Sequence, residues 1–281
     1  MNGRIAVGVS GAGSNLRALH AAAARGELGG AIVLVFADRA CPALDWASEQ
    51  GIETALVPGG DDAALAETLR AATPDVVVLA GYMRVVGPAV LTAFPGRIVN
   101  THPSLLPAFP GAHAVRDALA HGVVLSGCTV HLVDETLDGG PIVVQEAVAV
   151  LPGDDEAALR GRIQAVEHRL LPRVVALLLA DAVAVGDDGR HVAVDLERAD
   201  ARVPVPRTIT CSRMLVRVSA TPASRTFSWV CSCWNRTVPS ARVMRVTMAT
   251  RLTSFCRMVT YEPICPTRIS SSPIVTVGAR P

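Results

Sequence analysis

An asparagine and a histidine two positions apart, Asn100 and His102, close the short apolar run Ile98-Val99 and open a proline-rich stretch, NTHPSLLPAFPGAH, residues 100–113. On extended backbone, side chains two apart project from the same face, so both can look into one cleft. Pro103 forbids helix and biases His102 to extended geometry, while Pro107 and Pro110 stiffen the loop beyond. An amide NH₂ beside an imidazolium suits a carbonyl oxygen that turns negative as a nucleophile adds to its carbon, which is the chemistry of acyl transfer. Taken alone, the same histidine is equally satisfied by ordinary loop hydrogen bonds.

A second stretch, VHLVDETLDGGPIVVQ at residues 130–145, runs from an alternating strand into an acidic loop that Gly139-Gly140-Pro141 turns back. A carboxylate at the tight turn, Asp138, is placed to approach His102, orient its ring and support its positive charge, as a general acid requires. Read alone, Leu-Asp-Gly-Gly is a hairpin turn. A third stretch, VSGAGSNL at residues 9–16, puts glycines where a strand turns into a helix, so backbone N–H groups and the helix N-terminus are available to a phosphate. The dinucleotide fingerprint requires a small residue where Leu16 stands, yet Asp38 ends the second strand where a ribose ligand belongs. A monophosphate site, a nicotinamide site and a plain turn all remain open on these residues.

The elements that position these groups alternate. Ile5–Val9, Ile32–Phe36, Thr54–Val57, Val76–Leu79 and Ile98-Val99 read as short strands rich in Val and Ile, and Ser14–Arg25, Pro42–Gln50 and Asp62–Ala72 as helices, with cap-like starts at Ser14 and Asp61. Nearly continuous apolar strands imply burial on both faces. The expected fold is therefore α/β, a Rossmann-like, mostly parallel sheet with helices on both faces, with ligands at the strand C-termini. The apolar run Val174–Val185, interrupted by Asp181, reads as a packed helix.

Composition bounds the class. At 50% hydrophobic over 281 residues the chain can hold one sizeable core. The first apolar run is too short for a secretory signal or a membrane span, which fits a cytoplasmic enzyme without a membrane partner. The net charge of +1 hides an asymmetry: residues 204–281 hold 11 of the 26 basic residues and one acidic residue, Glu262, leaving 15 against 24 and a net −9 in residues 1–203. The tail contains 32 Ser, Thr and Arg residues and only two leucines, Leu215 and Leu252. Two domains are expected, a catalytic one over 1–203 and a basic tail over 204–281 that is irregular, disordered or a non-native extension. Trp229 and Trp234 with the tail's charge leave a nucleic-acid-binding arm as the lesser reading. The five tail cysteines form no CxxC pair, and no His, Cys, Asp and Glu group has ligand spacing, so no metal is expected. His113, His131 and His168 adjoin the motifs but read as structural.

Together the stretches resemble the phosphoribosylglycinamide formyltransferases. The resemblance covers residues 4 to about 200 and rests on SGAGSNL, PDVVVLAGYMRVV (74–86), NTHPSLLPAFPGAH, VHLVDETLDGGPI and QAVEHRLLP (164–172), in family order. It implies a formyltransferase fold and transfer of a formyl group from 10-formyltetrahydrofolate, the co-substrate, to the amine of glycinamide ribonucleotide in purine biosynthesis. It further implies Asn100, His102 and Asp138 as the catalytic trio, with no covalent acyl-enzyme. Gly13, Ser14 and Asn15 become the phosphate cradle, and Gln164 and Glu167 the contacts to the ribose and amide regions. Met83, Arg84, Val85 and Val86, with Asn100 and the backbone of Asp134, Glu135, Thr136 and Leu137, become the folate pocket.

The chain departs from the family at PGGDDA, residues 58–63, where a longer charged segment carries an arginine near the folate tail; Arg84 or a residue of the C-terminal tail is the available substitute. Methionyl-tRNA formyltransferase and formyltetrahydrofolate hydrolase share the trio but follow the histidine with Ala-Ser or His-Ser instead of Pro103-Ser104, and the hydrolase carries a regulatory domain before the first strand. A nicotinamide oxidoreductase on Gly11, Gly13 and Asp38 is a further alternative.

Overall fold

A computed structural model describes residues 3–195, 214–221, 224–231 and 248–249. The chain divides into two units, residues 1–206 and 207–281. In the first, β1 (Gly3–Val9), β2 (Gly30–Ala37), β3 (Glu53–Leu56), β4 (Val76–Leu79), β5 (Ile98–His102), β6 (Leu125–Leu132) and β7 (Ile142–Ala149) form one sheet in the order β3-β2-β1-β4-β5-β6-β7. The strands from β3 to β5 pair in parallel, and β6 and β7 continue the sheet antiparallel.

The core follows from the alternation of side chains along each strand. Ile5, Val7 and Val9 of β1 pack with Leu16 and Leu19 of α1 (Ser14–Ala24) and with Leu159 and Ile163 of α6 (Glu156–Leu179). Ala6 points to the other face, with Phe36, Val77 and Leu79 and with Leu65 and Leu69 of α3 (Asp62–Ala72). Both faces are covered, as the unbroken Val and Ile runs imply. The second helix, α2 (Pro42–Glu49), starts on a proline, whose fixed φ suits a first turn.

The chain leaves β1 toward β2 and β3, then returns to the far side of β1 as β4. The strand order thus reverses between β1 and β4, and open α/β sheets bind ligands at such a switch point. The 10–15 turn and the 80–87 segment flank it.

Local details differ from expectation. Ser14 is the first helical residue, not the cap of α1; Gly13 caps it at φ 74 with no side-chain hydrogen bond, because the chain enters the helix through a left-handed turn. Asp61 does cap α3, accepting from the Ala64 amide. The run Val174–Val185 is not one helix: α6 stops at Leu179, Asp181 turns at φ 52, and β8 (Val183–Val185) pairs with β9 (Val192–Val194). β6 is buried throughout from Ser126 to Leu132 instead of alternating, since β5 and β7 flank it and α6 covers it. Helices α4 (Pro88–Ala93) and α5 (Ala114–His121) complete this unit. In the second unit, β10 (Met214–Thr221), β11 (Ser224–Cys231) and β12 (Met248–Ala249) pair antiparallel; of the tail residues singled out above, Trp234, Leu252, Glu262 and the cysteines other than Cys231 lie outside the described residues. Among the described residues no helix is long and apolar enough to cross a membrane.

Candidate active site

The last residues of β5 present Asn100 and His102 together, and the antiparallel register sets His131 of β6 directly opposite Asn100. The 133–141 loop then folds back and carries Asp138 to both. Its Oδ2 lies 3.4 Å from His102 Nδ1, with the two side chains 9% and 6% exposed. Its Oδ1 lies 3.5 Å from Asn100 Nδ2. Asp138 is not at a two-residue hairpin turn; it sits at φ 53 within a longer loop, a conformation aspartate tolerates better than most residues. The Gly111 amide donates to Oδ2 at 2.7 Å, which pins the carboxylate to the proline-rich loop. Gly140 allows the return, since a Cβ there would stand 2.0 Å from the Leu132 carbonyl oxygen.

Hydrogen-bond partners assign the protons. His102 Nε2 meets the Phe109 carbonyl at 2.8 Å, and a carbonyl only accepts, so Nε2 carries hydrogen and Nδ1 is the ring atom turned to Asp138. Phe109 adopts φ 54, which belongs to the same tight loop. His131 Nδ1 donates to the Leu132 carbonyl at 2.9 Å, so its Nε2 lone pair accepts from Asn100 Nδ2 at 3.2 Å. One amide hydrogen of Asn100 is thereby committed. The other makes only the long 3.5 Å contact to Asp138 Oδ1, which a closer ligand oxygen can replace.

His131 is a site residue that sequence reasoning set aside. It adjoins the motifs but reads as structural, and it is 2% exposed; the missing signal was its pairing with Asn100, which depends on the β5–β6 register. Burial pushes its imidazole below the usual histidine range, with the Leu132 hydrogen bond opposing. A group depressed in the folded state contributes stability above its unfolded pKa and loses it as pH falls through that value toward the folded one. Thermal stability of the native chain should therefore fall more steeply below about pH 6.5 than that of His131→Gln, as followed by melting curves across pH. Parallel curves would mean that His131 titrates freely.

At the switch point, Gly13 brings the first turn of α1 close to α2; a Cβ there would stand 2.7 Å from Ala43 Cβ. No side chain caps the α1 amides, Ser14 included, so they remain open to an anion. Asn15 donates to Glu167 Oε2 at 2.9 Å across the α1–α6 contact, while its buried Oδ1 has no partner. Burial pushes the Glu167 carboxyl up, opposed by the Asn15 hydrogen bond. Gln164 lies one turn earlier on α6, partly buried. The structure thus joins Asn15 to Glu167.

The 83–86 segment is mixed. Met83 and Val85 are exposed, at 53% and 71%. Val86 is buried in the core that contains Leu65 and Val90, so only its backbone is available to a ligand. Arg84 reaches Asp38 Oδ2 with Nε at 3.2 Å, and its stem passes Gly60, which places it beside the segment that lacks an arginine. Glu135 and Leu137 are exposed, and Asp134 holds its own loop by accepting from the Thr136 amide at 2.8 Å. Asp38 is not available as a ribose ligand: it is buried and accepts from Ser10, Arg39 and Arg84. Among the described residues no group of three or more His, Cys, Asp and Glu is arranged to hold a metal ion.

The formyl transferase family matches residues 3–175. A phosphoribosylglycinamide formyltransferase of Mycobacterium tuberculosis is 48% identical over 189 residues, 65% of this chain and 87% of that protein. A glycinamide ribonucleotide transformylase from Symbiobacterium toebii superposes with a TM-score of 0.66 at 45% identity, covering 68% of this chain and 93% of the other. A phosphoribosylglycinamide formyltransferase from Bacillus halodurans gives 0.61 at 40% identity, over 64% and 96%.

Proposed function

The chain belongs to the formyl transferase family, and on that premise we propose that it transfers the formyl group of 10-formyltetrahydrofolate to the amine of glycinamide ribonucleotide, with Asn100, His102 and Asp138 as catalytic residues. The observation that carries this reading is the convergence of the three at the end of β5: an amide hydrogen held only by a 3.5 Å contact to Asp138, a histidine with Nδ1 turned to that carboxylate, and low exposure of both ring and carboxylate. The substrate amine attacks the formyl carbon, and the Asn100 amide meets the oxygen as it becomes negative; as that oxygen re-forms its carbonyl the bond from the formyl carbon to N10 of the folate breaks, and the proton given up by the amine passes by way of the Nδ1 side of His102 to N10, so that tetrahydrofolate leaves. Asp138 orients the ring and balances its charge. No enzyme side chain is acylated.

The ribonucleotide phosphate rests on the amides of Gly13, Ser14 and Asn15, and Gln164 and Glu167 take its ribose and amide regions. The folate lies on Met83, Arg84, Val85, Val86 and the 134–137 backbone, with Asn100 at the reacting end, and Arg84 meets its acidic tail in place of the absent arginine. The partners are small molecules, the reaction runs in the cytoplasm, and no metal takes part. Offering glycinamide ribonucleotide, initiator methionyl-tRNA and water as alternative formyl acceptors tests the assignment: turnover with the first alone supports it, and faster turnover with either of the others rules it out.

The same reading places the catalytic unit in residues 1–203, because every site residue lies before that boundary. Ending the chain after Val203 should leave formyl transfer within about twofold and the melting temperature within a few degrees. A collapse of either would show that residues 204–281 belong to the working fold.

A further inference from the structure

We infer that Asp38 is a positioning residue that holds the folate-side segment in its binding conformation, by bonding the Arg84 guanidinium directly and the Met83 amide through Ser10. The inference rests on the folate reading of residues 83–86 given above. Asp38 ends β2 with its side chain 1% exposed. Oδ1 accepts from Ser10 Oγ at 2.6 Å, and the same Oγ accepts from the Met83 amide at 2.8 Å. Oδ2 accepts from Arg39 Nε and Nη2, at 3.0 and 2.7 Å, and from Arg84 Nε at 3.2 Å. Every link is charge-assisted or leads to one that is, and such bonds are the stronger kind.

The geometry leaves the outer edge of Arg84 free while fixing its inner nitrogen, so the carboxylate presents that guanidinium without consuming it. Arg84 itself is about half exposed. A long side chain with several torsions loses rotamer freedom on binding, and a partner that fixes it beforehand lowers that cost. Arg39, Ser10 and Arg84 hold the Asp38 carboxyl down at about 2 against the opposing effect of burial, so the clamp stays ionised at any assay pH. No step of the proposed chemistry uses Asp38, and its buried oxygens are engaged by Ser10, Arg39 and Arg84. Its role is confined to the two residues it holds.

The test is steady-state kinetics on the full chain. Asp38→Asn should raise KM for 10-formyltetrahydrofolate about tenfold, with kcat and KM for the ribonucleotide within twofold, because a neutral amide cannot replace the charged partner of Arg84. Combined with Arg84→Gln, it should add little to Arg84→Gln alone, since residues in one network do not lose function additively. Arg39→Gln, which leaves the Asp38–Arg84 bond intact, should change none of the constants by more than twofold. If Asp38→Asn does not fold, Ser10→Ala replaces it and should raise the same KM. An unchanged folate KM, equal rises for both substrates, or multiplying losses would overturn the inference. Titration with tetrahydrofolate separates the two levels: if Arg84→Gln binds it as tightly as the native chain, the folate assignment of the segment fails; if Arg84→Gln weakens binding and Asp38→Asn does not, only the role of Asp38 fails.

Discussion

His102→Ala should lower kcat by roughly 10²–10⁴-fold, the range a positioned acid or base contributes, while binding of glycinamide ribonucleotide persists. The cradle proposed for the ribonucleotide lies at Gly13 to Asn15 and on α6, and the hydrogen bond of His102 goes to Phe109 and not to these residues. Asp138→Asn keeps the shape of the loop and an acceptor for the Gly111 amide, but removes the carboxylate 3.4 Å from His102 Nδ1. Its loss should also be large. On the proposal that Asp138 works through His102, the double variant should be little worse than the poorer single one. Multiplying losses would mean that Asp138 acts elsewhere, the nearest candidate being its 3.5 Å contact to Asn100.

The second large effect is expected at Gly13. Gly13→Val places a β-branched residue at φ 74, where it is strained by about 1–3 kcal/mol. It also drives a Cβ to within 2.7 Å of Ala43. The turn must open, and the α1 amides then lose their aim at the phosphate. KM for the ribonucleotide should rise on the order of 10–100-fold, the cost of one or two charge-assisted hydrogen bonds, and KM for the folate should hold within twofold. Equal rises in both constants would indicate a damaged fold and not a damaged cradle.

The local physics of this chain was legible because its signals were local. Glycines at 11 and 13, the unbroken Val and Ile runs, and the proline after His102 each dictate a conformation over a few residues, and the sheet from β3 to β5 follows from them. What depends on register was not legible. His131 meets Asn100 only because β6 runs antiparallel to β5 with these two residues opposite each other, and no spacing in the sequence encodes that pairing. Asp38 looked like a ribose ligand from its place at the end of β2, yet two arginines and a serine, two of these from other parts of the sheet, already hold it. Val86, which the resemblance puts in the folate pocket, has its side chain in the core with Leu65 and Val90, so only its backbone can face a ligand. Ser14 failed as a cap because it is already the first helical residue, and the cap position falls to Gly13, which has no side chain to bond the first amides.

The proposed mechanism has the formyl carbon pass directly, with no acyl-enzyme, from the folate to the ribonucleotide amine at the end of β5. Transfer of a ¹³C-labelled formyl group, followed by NMR during turnover of the full chain, tests it most directly. The claim predicts that the label moves from the folate resonance to a formamide resonance on glycinamide ribonucleotide at the steady-state rate, with none bound to protein at any time. Label that accumulates on the chain, or that appears as free formate while the ribonucleotide stays unformylated, would contradict it.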